Sequence, residues 1–255
     1  MLEQVKYENL VSRNWFYINS VLQNKIRNVN ILFAGCGLGS VIAQSAIRLG
    51  FENMTIVDGD NVDLTNLNRQ FYFQNDVGVN KAKSLKNNLL MINPNANIKS
   101  VEKYIKVNDL SKLVSEVDIV INTVDLNNTY YEIITETIKH KKTVICPFNV
   151  GFGGVLILFN KNSVGPEIIW GRNLPIDNKE FYMKLIESLK KFHLPLYISK
   201  ELENLFSEIN NKGYQPQISI GGNIIASIVL STIIKVLQNK DVSLAPCPIF
   251  FDSYE

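Results

Sequence analysis

Cysteine and histidine are scarce in this 255-residue chain, with three of the first and two of the second. Cys36, Cys146 and Cys247 make an odd count, and no two of them form a CxxC pair. That excludes a disulfide framework and a cysteine-built structural zinc site, so no zinc is expected. An excess of one charge sign is also missing: 26 Lys and Arg against 24 Asp and Glu leave a net charge of +2. A nucleic-acid partner is not expected from that balance, and the KHKK run at 139–142 reads as a solvated helix end. The apolar runs, such as 224–230, fall far short of the roughly 20 residues that span a bilayer. The first ten residues are polar, so neither a secretory leader nor a membrane partner is expected, and a cytoplasmic location is.

What remains is an ordinary globular composition, 46% apolar and 20% charged. The length is enough to bury one large core. No repeat, low-complexity tract or linker divides the chain, and 1–255 reads as a single domain. Short Val- and Ile-rich runs at 31–34, 54–57, 117–122 and 143–146 read as buried parallel strands, and 98–105 as another. Helical patterns at 40–49, 81–92, 110–115 and 128–140 alternate with them. The rhythm predicts a doubly wound, Rossmann-like α/β fold whose ligands sit at the carboxyl ends of the strands. After Gly151 the character changes. An antiparallel strand at 154–159, a loop-like stretch at 160–178, helices at 179–191 and 200–211, an apolar helix at 220–237 and a last short strand are expected. They form a C-terminal antiparallel extension.

The first strand enters the turn GCGLGS, with Gly35, Gly37 and Gly39. Measured back from the helix, the three glycine positions of a dinucleotide fingerprint fall on Ala34, Cys36 and Gly39, so a standard NAD site is poorly matched. The turn can still offer backbone N–H groups and a helix N-terminus to an anion. Asp58, 19 residues past Gly39, ends the second strand, where an acid accepts hydrogen bonds from ribose hydroxyls. The string DNVDLTNLNRQ runs from Asp60 to Gln70 and supplies Asn66, Asn68, Arg69 and Gln70, a guanidinium fork flanked by neutral amides. Lys81 opens the following helix, where its ammonium adds to the positive helix end. Asp125 follows the fourth strand and can hold Mg²⁺ bridging phosphates. Together these groups suit attack on ATP: Arg69 and Lys81 neutralise a triphosphate, and a carboxylate displaces pyrophosphate to become an acyl adenylate.

The glycine turn, VDGDNVDLTNLNRQ, DVGVNKAK, the INP at 92–94 and the strand ending in an aspartate resemble the ThiF/MoeB family of adenylyltransferases, the bacterial relatives of ubiquitin-activating enzymes. The resemblance covers about residues 13–154. It implies a helical arm at 1–28, a nucleotide-binding core at 29–150 and an acceptor-side extension at 151–255. It implies ATP bound through Gly37, Asp58, Asn66, Arg69 and Lys81, with Asp125 as the magnesium ligand. The turn glycines Gly35 and Gly39, Asp60 and Gln70 join the same candidate site. It further implies a homodimer in which Arg13, in SRNWF, reaches the partner's site.

Sulfur-carrier members of that family carry two CxxC zinc pairs and many a nucleophilic cysteine, and this chain has neither pattern. Cys36 and Cys146 read as buried small hydrophobes, and Cys247 has no basic neighbour to activate it. Adenylation without thioester transfer is therefore expected, on a small ubiquitin-like protein, a peptide or a small acid. Two other readings stand beside it: a relative of the tRNA threonylcarbamoyladenosine dehydratase, against which the weak charge counts, and a non-catalytic half of a heterodimer, against which the joint presence of Arg13, Arg69, Lys81 and Asp125 counts. His140 and His193 read as surface or loop residues without a partner, and the region beyond Gly154 carries no motif that names the acceptor.

Overall fold

The computed structural model describes residues 5–171, 178–189, 191, 211–212 and 216–254. A seven-stranded sheet forms the centre: β1 (Asn30–Ala34), β2 (Asn53–Val57), β3 (Asn97–Val101), β4 (Ile119–Asn122), β5 (Thr143–Val150), β6 (Gly153–Phe159) and β7 (Ile249–Asp252). Its order is β3-β2-β1-β4-β5-β6-β7, with the first five strands parallel. The expected doubly wound sheet is what forms. β1, at the centre of the parallel part, is apolar on both faces because both are covered. Ile31 and Phe33 enter one core cluster and Leu32 and Ala34 the other.

The first cluster is closed by α2 (Ser20–Asn28), α3 (Leu38–Leu49), α4 (Lys81–Leu90) and a long helix named α9 below. The second is closed by α5 (Val107–Ser115) and α6 (Asn128–Lys139), with Trp170 from α7 (Glu167–Trp170) and Phe181 from α8 (Asn178–Leu189). A single short turn, α1 (Tyr7–Leu10), precedes α2. β5 and β6 form the predicted antiparallel pair, with Val144 opposite Phe159 and Val150 opposite Gly153. β7 pairs antiparallel to β6 and completes the sheet.

Several boundaries differ from the sequence reading. β3 ends at Val101 rather than at residue 105, because its sole neighbour β2 ends at Val57, the residue paired with Val101. α3 begins two residues early, with Gly37 as its N-cap and the Ser40 hydroxyl donating to the Gly37 carbonyl at 2.7 Å. The stretch read as loop at 160–178 holds α7. The helix expected at 200–211 and His193 lie almost wholly or wholly outside the described residues.

α9 (Ser219–Leu237) corrects the reading of apolar runs. It is 19 residues long and an 18-residue stretch of it has a mean hydropathy of 1.9, long and apolar enough by those measures to cross a membrane. Ser227, Ser231, Thr232 and Lys235 interrupt the apolar residues and hide the span when only unbroken runs are counted. In the fold, its Ile225, Ala226, Val229, Leu230 and Ile233 are buried, and the helix packs against α3, β5 and β6.

Candidate functional site

The carboxyl ends of β1, β2 and β4 meet at the glycine turn. Gly35 has φ +90°, and a Cβ there would lie 2.7 Å from the backbone carbonyl carbon of Thr123, just beyond β4. Only glycine permits both that conformation and that approach. The Thr123 hydroxyl lies 3.1 Å from the Ala34 carbonyl and 2.9 Å from the Gly35 carbonyl, clamping the turn to the end of β4. No side chain caps α3 at Gly37; the Ser40 amide turns back to the Gly37 carbonyl at 3.2 Å, while the Leu38 and Gly39 amides have no partner within the helix and are available to an anion. Gly39 is buried against Thr123 Oγ1 and Phe33.

Asp58 closes one side of the turn. Its Oδ2 accepts from the Cys36 amide at 2.7 Å and its Oδ1 from the Asp60 amide at 2.8 Å. Each oxygen keeps acceptor capacity for a hydroxyl. Burial pushes the Asp58 carboxyl above the ordinary aspartate range, opposed by those two amides and by the charge of Lys81. The buried Tyr72 hydroxyl donates to the Cys36 carbonyl at 2.8 Å, tying the segment after Gln70 to the turn.

Lys81 and Asp60 form an ion pair at 3.1 Å; the lysine side chain is 12% exposed and the aspartate 48%. Tyr104 Oη donates to Asp60 Oδ1 at 2.6 Å. Burial raises the Asp60 pKa, but the Tyr104 and Lys81 hydrogen bonds and the lysine's charge outweigh it, and the net shift is downward. Tyr104 rests on Gly59, where any Cβ would strike its ring. Its own pKa is raised, first by the hydrogen bond to Asp60, and the charges of Asp60, Asp58 and Asp125 also act on it. Of these three carboxylates, Asp60 is the one in hydrogen-bond contact with the phenol. Asp125 itself is exposed, three residues past β4.

In NLNRQ the roles divide. Asn66 is buried and its side-chain oxygen accepts from the Asp63 amide at 3.0 Å, closing a capping box. Its placement is structural support for the loop. Gln70 lies beside Gly37, with its Oε1 buried and without a hydrogen-bond partner. Arg69 donates from Nη1 to the Thr65 carbonyl and to Asn68 Oδ1, each at 2.8 Å, and from Nε to Gln217. Burial lowers its pKa.

Arg13 is not brought to this site within one chain. It is exposed in a short 3₁₀ turn (Ser12–Asn14). The neighbouring Asn14 side chain donates to the Leu49 carbonyl, and Tyr7 donates to the Gly50 carbonyl. The arm thus docks at the C-terminal end of α3, while the turn lies at its N-terminal end, about 18 Å away for a 12-residue helix. His140, read as partnerless, contacts Ser111 Oγ at 3.0 Å and Glu136 Oε1 at 3.1 Å. Both contacts use Nε2, so the trio cannot act as a relay. Sequence reasoning missed Tyr104 and Gln217; an aromatic just past β3 is the one available signal for the first.

A glycine turn joined to an uncapped helix, with an acid at the end of β2 and cations from the next loop and helix, defines the nucleotide-handling class of doubly wound proteins. The chain belongs to the ThiF family, whose model matches residues 11–255. It is 32% identical over 190 residues to the probable molybdopterin-synthase adenylyltransferase of Gracilaria tenuistipitata var. liui, covering 71% of this chain and 52% of that protein. It is 29% identical over 146 residues to the adenylyltransferase and sulfurtransferase UBA4 of Lodderomyces elongisporus, covering 56% of this chain and 32% of that one. The chain thus spans about a third to a half of these relatives' lengths. Among solved structures, E. coli MccB with AMPCPP and MccA superposes with a TM-score of 0.72 at 22% identity, over 97% of this chain and 69% of that one.

Proposed function

We propose that this chain is an ATP-dependent adenylyltransferase that activates a carboxylate as an acyl adenylate with release of pyrophosphate. The observation that carries the reading is the arrangement at the glycine turn: Asp58 accepts from the Cys36 and Asp60 amides, Lys81 pairs with Asp60, Arg69 stands on the adjoining loop, and Asp125 follows β4 by three residues. The named relatives, which are adenylyltransferases, support it.

The residues present fit ATP. Gln70 Oε1 is a buried acceptor with no partner beside Gly37, and the α3 amides face the same turn. Asp58 takes the ribose hydroxyls, the turn amides with Gly35, Gly37 and Gly39 cradle phosphate, and Arg69 and Lys81 carry the positive charge. Asp60 holds the Lys81 ammonium in place before nucleotide arrives. An acceptor carboxylate oxygen attacks the α-phosphorus; the bond to the bridging oxygen breaks, and pyrophosphate leaves with the electron pair. Such a transfer needs positioning and charge rather than a protein nucleophile. Asp125, an exposed hard-oxygen donor, fits Mg²⁺, which when bound supplies further charge to the phosphate oxygens.

The acceptor is proposed to be the C-terminus of a small protein or a peptide, with the MccB structure that holds MccA as the guide. The sulfur step in UBA4's name is not carried over. Burial pushes the Cys146 thiol up to about 12 and the Cys36 thiol well above its usual value, so neither supplies a thiolate. A homodimer that brings Arg13 to the partner's site completes the proposal. Trp15, Phe16 and Tyr17, beside Arg13, are 75%, 73% and 85% exposed, an apolar patch of the kind that marks interfaces.

ATP–pyrophosphate exchange with free amino acids and with peptides ending in Gly-Gly tests the reading. ATP binding without exchange for any carboxylate would sink it. Asp125→Ala is expected to lower exchange by about 100-fold or more with the fold intact; an unchanged rate would remove the metal role from Asp125.

A further inference from the structure

Arg69 is held on three sides and open on one. Its Nε donates to Gln217 Oε1 at 2.5 Å, and Nη1 donates to the Thr65 carbonyl and Asn68 Oδ1. The Nη2 group has no partner among the described residues. Gln217 is in turn fixed from the same loop, since Asn68 Nδ2 donates to its backbone carbonyl at 3.3 Å. It lies two residues ahead of α9 and 148 residues along the chain from Arg69. The first turn of α9 also meets this loop, for a Cβ on Gly222 would lie 3.8 Å from the Arg69 carbonyl and 3.9 Å from Leu38 of α3.

A long arginine left free would sample many rotamers, and a phosphate would have to order it on binding. A carboxylate partner would order it but offset part of its charge. A glutamine amide oxygen orders the fork and leaves the full positive charge for a ligand. Lys81 shows the contrast, since its partner is the Asp60 carboxylate.

We propose that Gln217 is the positioning residue that presents the free Nη2 edge of Arg69 to the polyphosphate of ATP, so that the approach to α9 helps set the nucleotide site. This rests on the adenylation reading above. The guanidinium then contributes to binding of ATP and little to binding of AMP, which lacks the terminal phosphates.

The test is calorimetric titration of Mg²⁺-ATP and of AMP against the intact chain. Gln217→Leu is expected to lower the ATP-over-AMP preference by about tenfold, with AMP affinity and melting temperature unchanged. Arg69→Lys, which removes the Nε donor, is expected to lower the preference as well, and adding Gln217→Leu to it to have no further effect. Such non-additivity separates positioning from packing. A preference unchanged in Gln217→Leu, or losses that simply add in the double variant, would overturn the proposal. A wild-type chain without any preference for ATP would overturn the adenylation reading along with it. Gln217→Ala gives the same decision if the leucine variant fails to fold.

Discussion

In its proposed role Asp58 must stay ionised while largely enclosed by the glycine turn. Burial raises its pKa in the fold, so its stability contribution is present at low pH and is lost as pH rises through the folded value, above the ordinary 3.9 or so. The proposed role in nucleotide binding runs the opposite way, because ribose hydroxyls would donate to the carboxylate. With adenosine as probe, affinity is expected to fall about tenfold per pH unit below a midpoint lying above 3.9. Asp58→Asn should abolish that acid limb at a weakened plateau; a limb that survives the substitution assigns the titration to another group. Asp58, Arg69, Lys81 and Asp125 could be named as candidates from the sequence because their residue types suit phosphate and ribose directly. Tyr104 and Gln217 could not, because their meaning lies in partners 44 and 148 positions away. Asn66 was legible as part of a motif, but its side-chain oxygen serves the loop's own cap.

At the scale of elements, the turn between β1 and α3 depends on one residue more than on the fingerprint around it. Gly35 and Gly78 both have φ near +90°, yet a Cβ at Gly35 would enter the Thr123 backbone, whereas nothing lies within 4 Å at Gly78. Alanine at Gly78 should cost about 1 kcal/mol, the conformational penalty alone. At Gly35 the overlap adds to it, for about 3 kcal/mol in all. Denaturant midpoints of the two variants check this, and equal losses would mean that Thr123 yields freely. The strands were readable in advance because parallel strands buried on both faces must be apolar throughout. Their ends were less so: β3 stops where β2 stops, and the apolar Tyr104 and Ile105 lie past it, with Ile105 buried in the second cluster outside the strand.

At the scale of the molecule, the arm bearing Arg13 and the phosphate turn stand at opposite ends of α3. If the arginine serves a partner's site, Arg13→Ala and Lys81→Ala chains, each inactive alone, should complement when mixed. Random pairing puts half of the dimers in the mixed form, each with one complete site, so about a quarter of wild-type exchange is expected. No recovery would confine Arg13 to a role within its own chain, or to none. The sequence reading supplied Arg13 only through family resemblance; no local pattern distinguishes an arginine that acts elsewhere from a surface charge.

α9 has a consequence for how the protein is made. Its Ile225 covers Gly154 on β6, and its apolar face seals α3, β5 and β6, all of which precede it. About 60 residues separate β6 from α9. At 5–20 residues per second, a ribosome takes roughly 3–12 s to cross that interval. Throughout it, the parts of α3, β5 and β6 that α9 covers have emerged without it. Synthesis of this chain therefore passes through a timed window of vulnerability to clumping, which closes when the final helix arrives.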